Sequence, residues 1–258
     1  MRKTVALTIA GSDPSGGAGL QADLKTFHQF GVYGMSVVTL LTVQNTREVA
    51  SVDPLDADYV EAQLRATTSD IQPQAAKAGA LGTAEIAEVV ASWAEKSRCP
   101  LVLDPVLVST HGADLGAEGL RETILQRLLP QASLVTPNLD EAEALAGFEV
   151  SNVEAMEAAA RLLVERGAVA ALVKGGHLAG EAVDVLFANG RIDRFRAARI
   201  DTQHTHGTGC TYSAAITAEL AKGADLRSSV ETAKRYVARA IAAAPGLGGG
   251  RGPLDHHA

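Results

Sequence analysis

The sequence contains only two cysteines, Cys99 and Cys210, which stand far apart among its 258 residues. Two distant cysteines provide neither the disulfide framework of a small secreted domain nor a paired set of metal ligands. The first ten residues also lack the length and the cleavage site of a secretory signal peptide. We therefore expect a cytoplasmic protein.

Clustered positive charge is missing as well, because the formal net charge is −7 and no run is rich in lysine or arginine. Nucleic-acid surfaces and anionic membranes are bound through such clusters. No apolar stretch approaches the roughly 18 residues of a membrane-spanning helix. The expected partners are small molecules, with no nucleic acid and no membrane.

Aromatic residues make up only 4% of the chain while 47% is hydrophobic, so the core must be built mainly from alanine, valine and leucine. Strand-length apolar runs alternate with helical periodicity, which predicts an α/β sandwich with a mostly parallel sheet between two helical layers. The predicted strands are Val5–Ala10, Ser36–Val43, Ala75–Ala80, Pro100–Leu103, Ser133–Val135 and Val169–Val173. The predicted helices are Gly19–Phe30, Ala57–Thr68, Ala84–Ser97, Ala117–Leu129, Val153–Arg166, Gly209–Lys222 and Leu226–Ala243.

The pattern changes after Gly176, where Ala182–Phe187 and Arg191–Arg196 flank an Asn-Gly pair. Asn-Gly between two strands indicates a hairpin, so an antiparallel edge is expected there. Without repeats or long linkers, residues 1–258 are predicted to form a single domain. A glycine-rich tail follows from about residue 245, and its terminal histidines are expected to be solvated.

A glycine-rich segment, Gly11–Gly19, follows the first predicted strand and opens the first helix. Open α/β sheets bind ligands at this position. Part of it fits the dinucleotide fingerprint, but the next strand ends in Gln44 without the acidic residue that holds a ribose. A tight turn without a ligand is the alternative. Asp23, one helical turn beyond Gly19, either faces the pocket or complements the helix dipole.

Gly207, Thr208, Gly209 and Cys210 precede a helix of small residues. Unpaired N–H groups at a helix start favour a phosphoryl group. The same partial charge would lower the pKa of the Cys210 thiol and make it a candidate base. Alternatively, Cys210 is a small packing residue. The nearby His204 and His206 have no third ligand, so they are interpreted as loop histidines and not as a metal site.

Polar residues also follow the later strands. Asp104 ends one strand, Asn138 and Glu141 follow another, and Lys174 ends the next. Carboxylate and amide oxygens suit magnesium, and a lysine can neutralise a transferring phosphate. A capping box formed by Asn138 and Glu141, or a surface lysine, would explain them without a ligand. Because the ends of parallel strands share one edge, all are expected to converge.

With these segments located, the sequence closely resembles the hydroxymethylpyrimidine/phosphomethylpyrimidine kinases of thiamine biosynthesis, in the vitamin-kinase branch of the ribokinase superfamily. The resemblance covers nearly the whole chain. It is carried by Ala6–Asp13, Ser15–Asp23, Val43–Thr46, Asp104–Val106, Thr136–Asn138, Lys174–His177 and Thr205–Cys210.

The resemblance implies a ribokinase-like fold, ATP as cosubstrate, Mg²⁺ and a homodimer. It implies two successive phosphorylations, of 4-amino-5-hydroxymethyl-2-methylpyrimidine and of its monophosphate. Cys210 would be the base and Gly207, Thr208 and Gly209 would belong to the anion hole. The other implied roles are pyrimidine binding for Gln44, Gly11, Asp23 and Ala18, ATP binding for Thr136, Asn138, Lys174 and Gly207, and magnesium binding for Asp104 and Glu141.

A pyridoxine or pyridoxal kinase is the nearest alternative, since the resemblance extends to such kinases in the glycine-rich loop and the cysteine cradle. Gln44 favours the pyrimidine, because its amide offers a donor and an acceptor to an aminopyrimidine edge. Ala80 stands where many family members carry a methionine against the ring. A non-catalytic pyrimidine-binding sensor would have no need for Asn138, Glu141, Lys174 and Cys210, and a dehydrogenase is already disfavoured at Gln44.

Overall fold

The computed structural model describes residues 3–107, 119–176 and 181–258. His177, the last residue of one motif, and Ala117, the first of one predicted helix, lie outside these ranges. The described strands form one nine-stranded sheet in the order β3-β2-β1-β4-β5-β6-β7-β8-β9. They are β1 Val5–Ser12, β2 Tyr33–Gln44, β3 Val49–Pro54, β4 Ala75–Ala78, β5 Leu101–Leu103, β6 Leu134–Val135, β7 Ala170–Gly175, β8 Ala182–Ala188 and β9 Arg191–Ala197.

The helices are α1 Gly19–Gln29, α2 Ala57–Asp70, α3 Ala84–Lys96, α4 Leu120–Thr123, α5 Leu139–Ala146, α6 Val153–Glu165, α7 Thr208–Ala221 and α8 Leu226–Ala242. The helix predicted to end at Leu129 is irregular: α4 runs into a π-helical turn, Ile124–Leu128, and a 3₁₀ turn, Leu129–Gln131. Pro130 in that last turn explains why α-helical hydrogen bonding does not continue. In the described ranges, no helix is long and apolar enough to cross a membrane.

Two apolar layers enclose the sheet. Helices α2 to α6 pack on one face, and α1, α7 and α8 pack on the other. Along β5, Leu101 and Leu103 point into the first layer while Val102 points into the second, as the two-residue period of a strand requires. The predicted three-layer architecture is confirmed.

The hairpin prediction is confirmed too. Strands β8 and β9 pair antiparallel around Asn189 and Gly190, which both have positive φ, at 51° and 73°. This is the backbone that the Asn-Gly pair favours. The prediction of one antiparallel edge was incomplete, however, because β3 pairs antiparallel with β2 at the opposite edge. Strand β3 escaped notice because Val49–Pro54 is short and largely exposed.

Strands β1, β2 and β4 to β7 run parallel, so their carboxyl ends meet at one edge. Pairing shifts register near two of these ends, between Ala10 and Ser12 on β1 and between Val43 and Gln44 on β2. Such irregularities often redirect side chains beside binding sites. The predicted ligand residues Gly11 and Gln44 lie at these two points.

Candidate active site

The cradle predicted at Gly207–Cys210 forms the start of α7. Gly207 is the N-cap residue with φ 83°, and no side chain caps the helix. The Thr208 N–H donates to the carbonyl oxygen of Thr205 at 3.2 Å, which leaves the following N–H groups of the first turn for a ligand. A side chain at Gly207 would collide with the carbonyl oxygen of Gly17, so the close approach of the two glycine-rich segments requires glycine.

Lys174 and Asp104 lie against this helix start. The Lys174 Nζ is 2.7 Å from Asp104 Oδ1, and an ideal Cβ at Gly209 would lie 3.2 Å from the same Nζ. Asp104 also accepts from Thr136 Oγ1 at 3.1 Å and from Ser213 Oγ at 3.2 Å. The sequence did not single out Ser213. The predicted convergence of strand ends is therefore present for Asp104, Thr136 and Lys174.

Both members of this pair are held in their charged forms. Burial alone would raise the pKa of Asp104, but Lys174 and Lys77 lower it below its usual value. Burial alone would lower the pKa of Lys174, but the carboxylates of Asp104 and Glu141 raise it. The site therefore presents a fixed ammonium group beside the start of α7.

Asn138 and Glu141 form the capping box that the sequence offered as an alternative. The Asn138 N–H donates to Glu141 Oε2 at 2.7 Å, and the Glu141 N–H donates to Asn138 Oδ1 at 2.8 Å. Asn138 also forms an isolated parallel bridge to Lys174, so the box stands at the site. Burial raises the pKa of Glu141 to about 7 against the opposing charge of Lys174.

No group of three or more histidine, cysteine, aspartate or glutamate side chains suited to a metal ion occurs among the residues described. A metal at this site would need ligands from a bound phosphate or from water in addition to the protein carboxylates. The raised pKa of Glu141 indicates a buried carboxylate short of positive charge, which a divalent cation would supply.

The glycine-rich loop is organised around Asp13, a residue for which the sequence predicted no role of its own. Its Oδ2 accepts from the N–H groups of Gly17 at 3.1 Å and Ala18 at 2.8 Å, and its Oδ1 accepts from Ser15. His206 Nε2 lies 2.8 Å from Oδ2. Because Asp13 already occupies these N–H groups, the loop is a poor phosphate cradle, which argues against a dinucleotide enzyme.

The wall proposed for the substrate is the end of β2, at the sheet edge that it shares with β1 and β4. Gln44 is half-buried there, at the point where the pairing of β2 with β3 shifts register. A side chain at Gly11 would collide with Leu40, so the backbone passes close to this wall. The amide of Gln44 can therefore offer a donor and an acceptor to a planar ligand.

Asp23 does not face solvent or complement the dipole of α1. Its side chain is fully buried, and Oδ2 accepts from Thr8 Oγ1 at 2.6 Å and from Lys77 Nζ at 2.8 Å. The dipole role is wrong, since no acidic side chain lies in the first turn of α1, whereas the role in pyrimidine binding stays a prediction. Lys77 itself was missed, although it is the only charged residue within Ala75–Ala80, and a lysine inside a buried strand is a strong signal.

The expectation for the Cys210 thiol is also corrected. The pKa of the Cys210 thiol is raised to about 11, mainly by burial. Lys77 acts against this increase, and Asp23 and Asp104 add to it. The backbone of Gly19 hydrogen-bonds the sulfur, but together with the helix charge it does not offset desolvation. Without a ligand, the Cys210 side chain is therefore mostly protonated at neutral pH.

The expectation of solvated terminal histidines holds for His257, which is exposed, but not for His256. His256 is buried, its Nε2 lies 3.2 Å from Thr211 Oγ1, and its carbonyl oxygen accepts from Tyr236 at 2.8 Å. The His206 N–H donates to the carbonyl oxygen of Gly252 at 3.1 Å. The tail therefore packs along α7 and the segment that precedes the cradle, although the absence of helix in it was predicted correctly.

One mostly parallel sheet between two helical layers, with Lys174 at the start of α7, is the architecture of a ribokinase-like protein. A family model described as phosphomethylpyrimidine kinase matches residues 13–255, and the chain belongs to this family.

Three similar proteins illustrate the match. The hydroxymethylpyrimidine/phosphomethylpyrimidine kinase of Streptomyces coelicolor is 48% identical over 250 residues, which cover 97% of this chain and 93% of the relative. The thiamine biosynthesis bifunctional protein ThiED of Geobacter sulfurreducens is 48% identical over 97% of this chain and 51% of the relative. The solved structure of Staphylococcus aureus pyridoxal kinase with AMP-PCP and pyridoxal is 36% identical, with a TM-score of 0.93 over 100% of this chain and 95% of that chain.

Proposed function

We propose that this protein is an ATP-dependent kinase of thiamine biosynthesis that phosphorylates 4-amino-5-hydroxymethyl-2-methylpyrimidine and then its monophosphate. The observation that carries the proposal is the Lys174–Asp104 pair beside Gly209 at the start of α7. A fixed ammonium and an uncapped helix start both stabilise negative charge on a phosphoryl group in flight. Relatives at 48% identity carry the corresponding names.

In this proposal the first turn of α7, with Gly207, Thr208 and Gly209, holds the transferring phosphoryl group. Lys174 neutralises it and, with Thr136, Asn138 and Gly207, binds ATP. Their position at one sheet edge supports this assignment, since Thr136 contacts Asp104 and Asn138 adjoins Lys174.

Asp104 and Glu141 would hold Mg²⁺, directly or through water. The fit rests on the donor set: two buried carboxylates, one of which has a pKa raised by burial. When bound, the ion would supply positive charge that offsets the charge developing on the phosphates during transfer.

The substrate pyrimidine would lie between the glycine-rich loop and the end of β2, with its edge on Gln44 and the backbone of Gly11 and Ala18. The hydroxymethyl oxygen attacks the γ-phosphorus of ATP and the bond to the ADP oxygen breaks. The hydroxyl proton goes to the sulfur of Cys210 in the fraction of molecules whose thiol has already lost its proton to solvent, a fraction that the raised pKa of the thiol keeps small. The role of Asp23 toward the pyrimidine rests on the family resemblance alone, because its side chain is fully buried with that of Lys77.

The second candidate is pyridoxal phosphorylation, favoured by the similarity to the S. aureus pyridoxal kinase. A homodimer in the cytoplasm is proposed on the family resemblance alone.

The deciding experiment incubates purified protein with Mg-ATP and either the pyrimidine alcohol or pyridoxal, and follows products by mass. The proposal expects pyrimidine monophosphate and then diphosphate. Consumption of pyridoxal alone would replace the proposal by the second candidate, and consumption of neither would favour a binding protein. Cys210→Ala is expected to lose most turnover, and full turnover would remove Cys210 as the base.

A further inference from the structure

The turn between β2 and β3, residues 45–48, begins directly after Gln44 and is fastened to the glycine-rich tail. The Arg251 N–H donates to the carbonyl oxygen of Thr46 at 2.8 Å, and the Gly250 N–H donates to Thr46 Oγ1 at 3.3 Å. The second of these bonds joins residues that are 204 positions apart in the chain. The place of the turn therefore depends on the tail and not on local sequence alone.

This contact requires glycine in the tail. A side chain at Gly250 would collide with the carbonyl oxygen of Thr46, and a side chain at Gly248 would collide with the Thr46 side chain. The backbone of Gly250 is not left-handed, so its conformation alone does not call for glycine. The missing side chain is instead what lets the two backbones come within hydrogen-bonding distance.

The next residue of the tail is fastened beside the cradle. The His206 N–H donates to the carbonyl oxygen of Gly252 at 3.1 Å, and His206 forms a parallel bridge with Pro253. An ideal Cβ at Gly17 would lie 3.0 Å from Pro253 Cβ, so the tail also packs on the glycine-rich loop. Gly207, the N-cap residue of α7, follows His206 directly. The tail therefore contacts the residue from which the cradle starts.

The two attachments of the tail are made by consecutive residues. Arg251 bonds to Thr46 and Gly252 bonds to His206, so a single peptide unit separates the two bonds. A peptide unit is planar, and it sets neighbouring Cα atoms about 3.8 Å apart. The distance between the turn after β2 and the start of the cradle is consequently fixed by a unit that cannot stretch.

The tail is anchored on one side of these bonds and exposed on the other. Leu254 is 2% exposed, and the Asp255 N–H donates to the carbonyl oxygen of Ala240 on α8 at 3.1 Å. Leu247, in contrast, is 60% exposed, and residues 248 and 249 are exposed as well. A segment that buries so little apolar area contributes little to stability. A role in positioning therefore accounts better for the contact with Thr46.

We propose that the backbone of residues 250–252 is a positioning element that holds the end of β2, through Thr46, at a fixed distance from the cradle. Its benefit for turnover rests on the proposed function, in which Gln44 binds the alcohol and the first turn of α7 holds the phosphoryl group. A substrate bound at Gln44 then presents its hydroxyl to that group at a set distance, which favours reaction by proximity. The effect of the tail on the turn does not depend on that function.

The test compares Gly250→Ala with the matched control Gly249→Ala. A side chain at Gly250 meets the backbone of Thr46, which cannot yield unless the turn moves. A side chain at Gly249 meets only the guanidinium group of Arg47, the flexible end of an exposed side chain. Steady-state kinetics give the KM for ATP and the KM for the alcohol that the wild type phosphorylates. Hydrogen exchange without ligand, followed by mass spectrometry, reports on residues 45–48 and on Arg251.

Gly250→Ala is expected to raise the KM for the alcohol about tenfold, the value of about one hydrogen bond displaced at Gln44. The KM for ATP should stay unchanged, because Thr136 and Lys174 belong to the β6 and β7 side of the sheet, separated from β2 by β1, β4 and β5. Residues 45–48 and Arg251 should exchange faster, since their bonds open more readily. Gly249→Ala should match the wild type in all three measurements.

The kinetic split separates positioning from a general loss of stability. A substitution that only unfolds part of the protein lowers the concentration of active enzyme, so it lowers the apparent kcat and leaves both KM values as they were. That result for Gly250→Ala would overturn the inference.

A second pair of variants decides if Gly250→Ala does not fold. Gly248 and Gly246 both have left-handed backbone, with φ of 80° and 67°. A side chain at Gly248 meets Thr46, whereas at Gly246 the nearest atom is His204 Nε2 at 3.9 Å. The inference expects a higher alcohol KM and faster exchange at residues 45–48 in Gly248→Ala than in Gly246→Ala. Equal values in the two variants would overturn it.

Failure of this inference and failure of the proposed function give different results. If the wild type phosphorylates the pyrimidine alcohol and Gly250→Ala has the same alcohol KM, the inference fails and the proposed function stands. If the wild type phosphorylates no alcohol, the proposed function fails and hydrogen exchange alone decides the inference. Faster exchange at residues 45–48 in Gly250→Ala than in Gly249→Ala then supports the positioning element, and equal exchange overturns it.

Discussion

The Nε2 atom of His206 lies 2.8 Å from Oδ2 of Asp13, and both side chains are almost completely buried. The two residues are 193 positions apart, yet this contact joins the glycine-rich loop to the residue that precedes the cradle. The collision that any side chain at Gly207 would make with Gly17 shows how closely these segments approach. The glycine-rich loop and the cradle proposed for the phosphoryl group are thereby held in fixed relation.

Asp13→Asn is expected to lower the free energy of unfolding by about 2–3 kcal/mol, since it breaks a buried pair and leaves neighbouring donors poorly satisfied. Urea denaturation at pH 7 measures this. Asp53→Asn, on the exposed strand β3, is the control and should stay within about 0.5 kcal/mol of wild type. Equal stability of Asp13→Asn and wild type would contradict the role of the contact.

The same residue predicts a pH dependence. Burial alone would raise the pKa of Asp13, but His206 and Ser15 lower it well below the ordinary value. A carboxylate with a depressed folded-state pKa stabilises the fold above the unfolded pKa of about 3.9, and this contribution is lost as the pH falls below it. Wild type should therefore lose stability below about pH 4 more steeply than Asp13→Asn in urea titrations across that range.

Gly207→Ala and Gly223→Ala separate backbone strain from collision. Both glycines have left-handed backbone, with φ of 83° and 86°, but only Gly207 faces an obstructing carbonyl. Gly223→Ala should cost about 1–2 kcal/mol of unfolding free energy, the usual strain of this conformation. Gly207→Ala should cost more and should also lower kcat in the assay of the proposed kinase reaction. Equal effects of the two substitutions would argue against the close packing.

Lys174→Met tests the proposed stabilisation of the phosphoryl group. Removing one such group typically lowers kcat by about 10²–10³. Lys234→Met is a matched control, because Lys234 pairs with Asp184 at 2.6 Å and is 13% exposed like Lys174, but lies outside the candidate site. Steady-state rates of the folded variants should fall only for Lys174→Met. A similar fall for both would mean that the lysine acts through stability.

Glu141→Gln tests the proposed magnesium ligand. The amide retains the acceptor of the capping box but loses the charge, so the Mg²⁺ concentration for half-maximal activity should rise about tenfold. Glu154→Gln, in the exposed first turn of α6, should leave that concentration unchanged. An unchanged magnesium requirement in Glu141→Gln would confine Glu141 to the cap.

Much of the architecture follows from local sequence. The Asn189-Gly190 pair specifies its hairpin because both residues accept positive φ, and the three-layer sandwich follows from the alternation of apolar runs with helical periodicity. The polar ends of β5, β6 and β7 could be located for the same reason, since parallel strands must present their carboxyl ends at one edge.

Tertiary structure alone decided the charges and the tail. No local pattern pairs Lys77 with Asp23 or Asp13 with His206, because these contacts join segments separated by 54 and 193 positions. The same holds for His256 against Thr211. Cys210 illustrates the physical reason: its place at a helix start predicted a lower thiol pKa, whereas the burial created by packing raises it to about 11. Local sequence determines which groups stand at the edge of the sheet, and packing determines how much water and which neighbours each group has.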